Sequence, residues 1–209
     1  MQPYVITIAQ QKGGAGKSTL AAHLGVALSK LGAKVAMIDT DPQHTISNWA
    51  DIRKKNNSSK YQLEITNSTG WKVSNEIAKL SKFDVIIIDS PPHMETETKS
   101  AIRAANLVIV PCQPSPNDLW ATDKTIEIIE KEGKKMILVL NRCPYHSKLL
   151  KQVEAYFADN IERCFLGNRV AFASAMLTGL TAIESEPSSI AANEVLQIAE
   201  KLYNLVVKK

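Results

Sequence analysis

Hydrophobic positions along the chain repeat with two alternating periods. Residues 4–10, Tyr-Val-Ile-Thr-Ile-Ala-Gln, are rich in β-branched side chains and run into a glycine-rich stretch, a pattern that predicts a strand. Over residues 19–31 the apolar positions Leu20, Leu24, Ala27, Leu28 and Leu31 recur at three- and four-residue spacing, which predicts an amphipathic helix stopped by Gly32. The alternation continues with strands expected at 34–39, 61–66, 84–89, 107–112 and 135–141. Helices are expected at 45–55, 71–80, 96–105, 119–132 and 147–158. Strands separated by helical segments of this length pair in parallel through right-handed crossovers. The expected fold class is therefore α/β, a mostly parallel twisted sheet with helices on both faces. Val85-Ile86-Ile87-Ile88 and Leu107-Val108-Ile109-Val110 are continuously apolar, as strands covered on both faces should be. The polar stretch 54–60 predicts an exposed loop.

Composition narrows the class. With 209 residues, 44% of them hydrophobic and 22% charged, the chain can bury a full core and is expected to form one domain over 1–209. No apolar run approaches the roughly 18 residues needed to cross a bilayer, and Met1-Gln2-Pro3 leads straight into a strand, so a cytoplasmic location is expected. Cys112, Cys143 and Cys164 are odd in number and far apart, which predicts reduced thiols rather than a disulfide framework or a zinc site. The net charge of +4 is compatible with an anionic partner without requiring one.

In a sheet of this kind ligands bind beyond the carboxyl ends of the strands. The first strand ends at Lys12-Gly13-Gly14-Ala15-Gly16-Lys17-Ser18-Thr19. Glycines let several backbone N–H groups turn toward one anion, and the next helix presents its positive end to the same point. Lys17 would neutralise a phosphate and Ser18 would ligate magnesium. The usual phosphate loop reads Gly-x4-Gly-Lys-[Ser/Thr]; here Gln11 stands five residues before Gly16, and a second lysine, Lys12, heads the loop. Asp89 closes an apolar strand, where phosphate-loop ATPases hold magnesium with a carboxylate. Asp39 and Asp41 lie two apart at the end of another strand. They suggest a metal role for one and a water-positioning role for the other, with an Asx turn before Pro42 as the alternative for each. Pro111, Pro114 and Pro116 stiffen a further loop, and Asp118 is a candidate helix cap.

With Lys12, Lys17, the 39–43 segment and Asp89-Ser90-Pro91-Pro92, the chain resembles the ParA family of deviant Walker A ATPases, the ParA/MinD superfamily. The resemblance extends through Pro114-Ser115-Pro116-Asn117-Asp118-Leu119 and a late run from Arg169 to Ala192. It implies an ATPase using ATP and Mg2+ that forms a face-to-face homodimer when ATP is bound. Lys12 matches the signature lysine that reaches the partner subunit's phosphates, Asp41 the residue that positions water, Ser18 the magnesium ligand and Thr19 a phosphate contact. Asn141 and Arg142 fall where the family contacts adenine.

Members of this size without an N-terminal helix-turn-helix extension segregate plasmids or chromosomes on the nucleoid. They bind DNA non-specifically as the ATP dimer and hydrolyse ATP when a ParB-like centromere-binding protein stimulates them. Arg163, Arg169 and Lys201, with Lys208 and Lys209, are the late basic residues proposed for DNA, whereas Arg53-Lys54-Lys55 suits the end of a helix dipole. A ParA-like protein that positions protein cargo is the alternative implied. A MinD-like membrane tail is not expected, because the stripe Val195, Ile198, Ala199, Leu202, Leu205 and Val206 predicts packing on the sheet. An iron–sulfur carrier would need paired cysteines, which are absent.

Overall fold

The computed structural model describes residues 2–56, 60–92, 95–144 and 148–207. The chain begins with β1 (Tyr4–Ile8), α1 (Lys17–Lys30), β2 (Val35–Asp39), α2 (Thr45–Asn56) and β3 (Glu64–Asn67). After a 3-10 turn at Gly70–Lys72 it continues with α3 (Val73–Lys79), β4 (Val85–Asp89), α4 (Glu95–Ala104), β5 (Leu107–Cys112), α5 (Pro116–Lys131) and β6 (Lys135–Cys143). It ends with α6 (Lys148–Tyr156), β7 (Glu162–Gly167), α7 (Val170–Leu177), α8 (Ala182–Ser185) and α9 (Ile190–Val207). The strands form one seven-stranded sheet in the order β3-β2-β4-β1-β5-β6-β7, and every pairing is parallel.

The continuous apolar strands divide their side chains between two helical layers. Val85 and Ile87 of β4 join Leu24 and Leu28 of α1 and Val195 and Leu202 of α9 on one face. Ile86 and Ile88 point the other way, onto Val73, Leu80 and Ala101. Farther along that second face Val108, Val110, Leu138 and Leu140 meet Ile102, Ile129 and Phe157. The predicted C-terminal stripe packs as expected: Val195, Ile198, Ala199 and Leu202 are fully covered, although Leu205 remains 44% exposed. Among the described residues no helix is long and apolar enough to cross a membrane.

Several boundaries differ from the sequence pattern. The first helix starts at Lys17, two residues early, because Gly16 takes the left-handed conformation at its N-cap. Helix α5 starts at Pro116 rather than 119, since Ser115 caps it and Pro116 suits the first turn. Strand β7 and helices α7 and α8 were not anticipated by the periodicity. The buried positions of β7 are interrupted at an edge, and α8 is a single turn fixed by a Thr181–Glu184 capping box. Because β1 lies between β4 and β5, with later strands running outward on both sides, its carboxyl end faces the crevice of the sheet.

Candidate functional site

At that crevice the loop after β1 is held open by side chains from neighbouring strands. Gln113 Nε2 donates to the Gly14 carbonyl at 2.8 Å, and Asn141 Nδ2 donates to the Ala15 carbonyl at 2.9 Å. With these carbonyls tied outward, the N–H groups of the loop face the other way, toward an anion. Gly14 and Gly16 have φ of 77° and 95°, and a Cβ at Gly16 would lie 2.4 Å from Asn141 Nδ2. Only glycine meets both demands.

Gln10, fully buried just before the loop, fixes its entrance. Its Nε2 donates to the Pro111 carbonyl and to Thr122 Oγ1, while its Oε1 accepts from Thr125 Oγ1 at 3.1 Å. Sequence reasoning missed Gln10, Gln113, Thr122 and Thr125. The available signal was two threonines three apart on the buried side of α5.

The two lysines of the loop have different surroundings. Lys17 is buried at 6% exposure, and that burial lowers its pKa, opposed by the charges of Asp89 and Asp41. Lys12 is a third exposed and extends away from the loop to a salt bridge with Asp118 of α5.

Register places Asp39 and Asp89 side by side at the ends of β2 and β4. Asp89 is buried with both carboxylate oxygens lacking a hydrogen-bond partner. Burial pushes its pKa up to about 7, with Asp39 and Asp41 raising it and Ser18 and Lys17 opposing. The Thr40 and Ser90 hydroxyls tie the neighbouring backbone by donating to the Asp89 and Ile8 carbonyls. An orphaned buried carboxylate beside the Ser18 hydroxyl fits a divalent cation. Among the described residues no group of three His, Cys, Asp or Glu could hold a metal by itself.

Asp39, for which a metal role was expected, is engaged by neighbouring donors. Its Oδ2 accepts from the Ser47 N–H at 3.0 Å and hydroxyl at 2.8 Å, and its Oδ1 from the Asp41 N–H at 3.1 Å. It anchors the start of α2. Asp41 accepts from the Gln43 N–H at 2.9 Å through Oδ1, forming the Asx turn weighed as the alternative. Its Oδ2 has no hydrogen bond among the described residues, so the turn and a water-directing role are compatible.

Asn141 and Arg142, for which adenine contact was expected, border a cavity of about 240 Å3 with Gly16, Thr19, Phe172 and Val170. His23 closes its floor: Nδ1 pairs with the Thr19 carbonyl at 2.8 Å, and Nε2 accepts from the Ala182 N–H at 3.1 Å. Burial drives its pKa down to about 4, so the ring is neutral and donates through Nδ1.

Of the residues proposed for DNA, Arg163, Arg169 and Lys201 each have partners within the chain. Arg169 forms two hydrogen bonds with Glu194, at 3.0 and 2.7 Å, and lines the same cavity. Arg163 donates to the carbonyls of Phe157 and Ala158, where α6 ends. Lys201 pairs with Glu162 at 3.2 Å. Lys208 and Lys209 lie outside the described residues. Arg53 is bound by Glu184, both nearly covered, and donates to the Gly179 and Tyr61 carbonyls, so it ties α2 to α8 rather than serving a helix dipole. The three cysteines are buried, with the thiols of Cys112 and Cys143 pushed up to about 11 and about 12.

Known proteins share this fold. Over 95% of the chain and 96% of the relative, the sequence is 26% identical to the "Maintenance of carboxysome distribution protein A" of Halothiobacillus neapolitanus. It is 23% identical to the "Sporulation initiation inhibitor protein Soj" of Bacillus subtilis over 95% of the chain and 97% of that protein. The septum site-determining protein MinD of Pyrococcus horikoshii OT3, solved with Mg-ADP, superposes with a TM-score of 0.78 at 21% identity, covering 99% of both chains. The family model described as "CobQ/CobB/MinD/ParA nucleotide binding domain" matches residues 6–182. Because that match runs from β1 to the start of α8, the protein belongs to the CobQ/CobB/MinD/ParA family, and its chemistry is that of a P-loop ATPase acting on ATP with Mg2+.

Proposed function

We propose that the protein is a ParA-like positioning ATPase that forms a face-to-face dimer on binding ATP and separates after hydrolysis. The observation that carries this reading is the division of labour between the two loop lysines. Lys17 is buried near Asp89 and Asp41, while Lys12 is a third exposed and paired with Asp118 of α5. A charge that its own subunit's phosphates do not use can be given to a facing copy. There it offsets the repulsion between two triphosphates and stabilises charge developing in phosphoryl transfer.

Within each subunit the loop N–H groups and Lys17 hold the phosphates. Ser18 and Asp89 would hold Mg2+, which would supply charge neutralisation to the phosphates. Asp41 Oδ2 orients the attacking water. Asn141, Arg142 and Phe172 enclose the base. A partner protein accelerates hydrolysis, and the dimer associates with the nucleoid.

The cargo is set by that partner. A protein assembly is favoured by the full-length similarity to a carboxysome distribution protein, and plasmid or chromosome segregation with a ParB-like partner by the similarity to Soj. Light scattering on Asp41→Ala and Asp41→Asn with Mg-ATP tests the scheme. Nucleotide should bind, hydrolysis should stop, and the mass should double. Single subunits in both variants would refute ATP-gated dimerisation.

A further inference from the structure

The end of the sheet opposite the phosphate loop carries a groove that the ATPase reaction does not use. It lies beneath the amino ends of β2, β3 and β4, has a volume of about 710 Å3, and is lined by Lys34, Lys54, Lys82, Tyr61, Leu63 and Phe83 among others. Beyond Phe83 and Lys82 it continues into a second depression of about 540 Å3, toward Tyr4 and Tyr203. The three lysines are exposed, whereas Tyr61, Leu63 and Phe83 are half-buried and form the floor. None of the three ammonium groups is ion-paired among the described residues, and Lys82 rests 5.4 Å from the centre of the Phe83 ring. Arg53, also on the wall, is neutralised by Glu184, and Glu64 is the one carboxylate among the described residues lining the first lobe. The balance is positive over an apolar floor.

We propose that this groove docks an acidic, extended segment of a partner protein, its carboxylates on Lys34, Lys54 and Lys82 and its apolar side chains on Leu63 and Phe83. Charge complementarity selects the acidic partner. The apolar floor and concave shape select a polypeptide over a nucleic-acid duplex, whose phosphates lie on a convex surface and need no such floor. Two lobes joined across Phe83 suit a chain rather than a compact small molecule. Five-residue strands separate the groove from the phosphate loop by about 17 Å. Docking at that distance leaves the ATP-dependent face free, so the tether persists in every nucleotide state.

The probe is a phage-displayed library of random twelve-residue peptides, selected against the full chain and again against the Lys34→Glu/Lys54→Glu/Lys82→Glu variant. Synthetic versions of the enriched peptides are then titrated by fluorescence anisotropy, beside a labelled DNA duplex. The expected result is enrichment of sequences that mix Asp or Glu with apolar residues, bound equally with ATP, with ADP and without nucleotide. Binding should weaken at higher salt and fall by about tenfold or more in the variant. ATP hydrolysis and melting temperature in the variant should match the parent. The milder Lys34→Ala/Lys82→Ala pair serves if the triple variant melts early. No enrichment, enrichment without acidic residues, peptide binding insensitive to both variants, or loss of duplex binding in place of peptide binding each overturns the proposal.

Discussion

The ammonium group of Lys12 is salt-bridged to the carboxylate of Asp118, a residue at 1% exposure that also accepts from the Ser115 hydroxyl. The lysine that heads the phosphate loop is thus held by α5 of its own subunit. In the proposed dimer, a phosphate of the facing copy would compete with Asp118 for it.

Asp118→Asn should therefore ease dimerisation. An ion pair with one partner a third exposed contributes about 1 kcal/mol, so its loss should lower the ATP concentration for half-dimerisation by about fivefold. The melting temperature of the nucleotide-free monomer should fall, since the same pair helps fasten the loop to α5. Light scattering across an ATP titration measures the first effect. An unchanged or higher midpoint means Asp118 does not restrain Lys12.

Gly16→Ala should abolish nucleotide binding. The substitution meets the left-handed φ of 95° and places a methyl group 2.4 Å from Asn141 Nδ2, displacing the amide that holds the Ala15 carbonyl. The backbone conformation alone costs about 1 kcal/mol or more. Relieving the clash with Asn141→Ala should recover part of the stability but not the binding, as seen by calorimetry with ATP. Full recovery of binding would mean that the clash, not the backbone, decides the effect.

The legible parts of this fold and site were those written in local pattern. Val85 to Ile88 announced a strand buried on both faces, and Lys12 to Thr19 announced a phosphate loop through its glycines. What escaped depended on partners distant in sequence. Asp39 and Asp89 both end apolar strands, yet Ser47 donates to Asp39 while the Asp89 carboxylate oxygens lack a hydrogen-bond partner among the described residues. Arg163 and Arg169 looked like surface charge because Phe157, Ala158 and Glu194, which engage them, come from separate segments. Gln10 looked like the polar end of a strand, although its amide joins β1 to Pro111 and to α5.

His23 predicts an acid sensitivity. Its pKa is lowered to about 4 in the fold, chiefly by burial, with the Thr19 hydrogen bond and Glu184 opposing, while an unfolded histidine titrates near 6.5. The folded state therefore binds fewer protons between those values. The stability that follows is fully present above about pH 6.5 and is lost as the pH falls toward 4, by on the order of 3 kcal/mol. Asp89, raised to about 7, acts in the opposite direction over much of this window, so the comparison must be made between variants. In urea titrations from pH 7.5 to 5, the parent should lose more stability than His23→Gln. Parallel curves would exclude the neutral buried imidazole.

Arg169 separates a nucleotide role from a DNA role. Its guanidinium grips Glu194 with 21% and 12% of the two side chains exposed, and it borders the cavity formed by Asn141 and Phe172. Glu194 also accepts from the Gly167 N–H at 3.1 Å, so the pair fixes the turn that brings α7 to that cavity. Arg169→Ala should weaken ATP binding severalfold through loss of this wall and destabilise the fold by about 1–2 kcal/mol. A direct phosphate contact, if removed, would reduce the salt slope of DNA binding by about 1. Arg169→Ala should leave that slope unchanged once ATP is saturating. Glu194→Gln supplies the control, because it loosens the same turn while leaving Arg169 free to reach a phosphate. If Glu194→Gln steepens the salt dependence and Arg169→Ala flattens it, the arginine contacts DNA and its pairing with Glu194 is a latch rather than a wall.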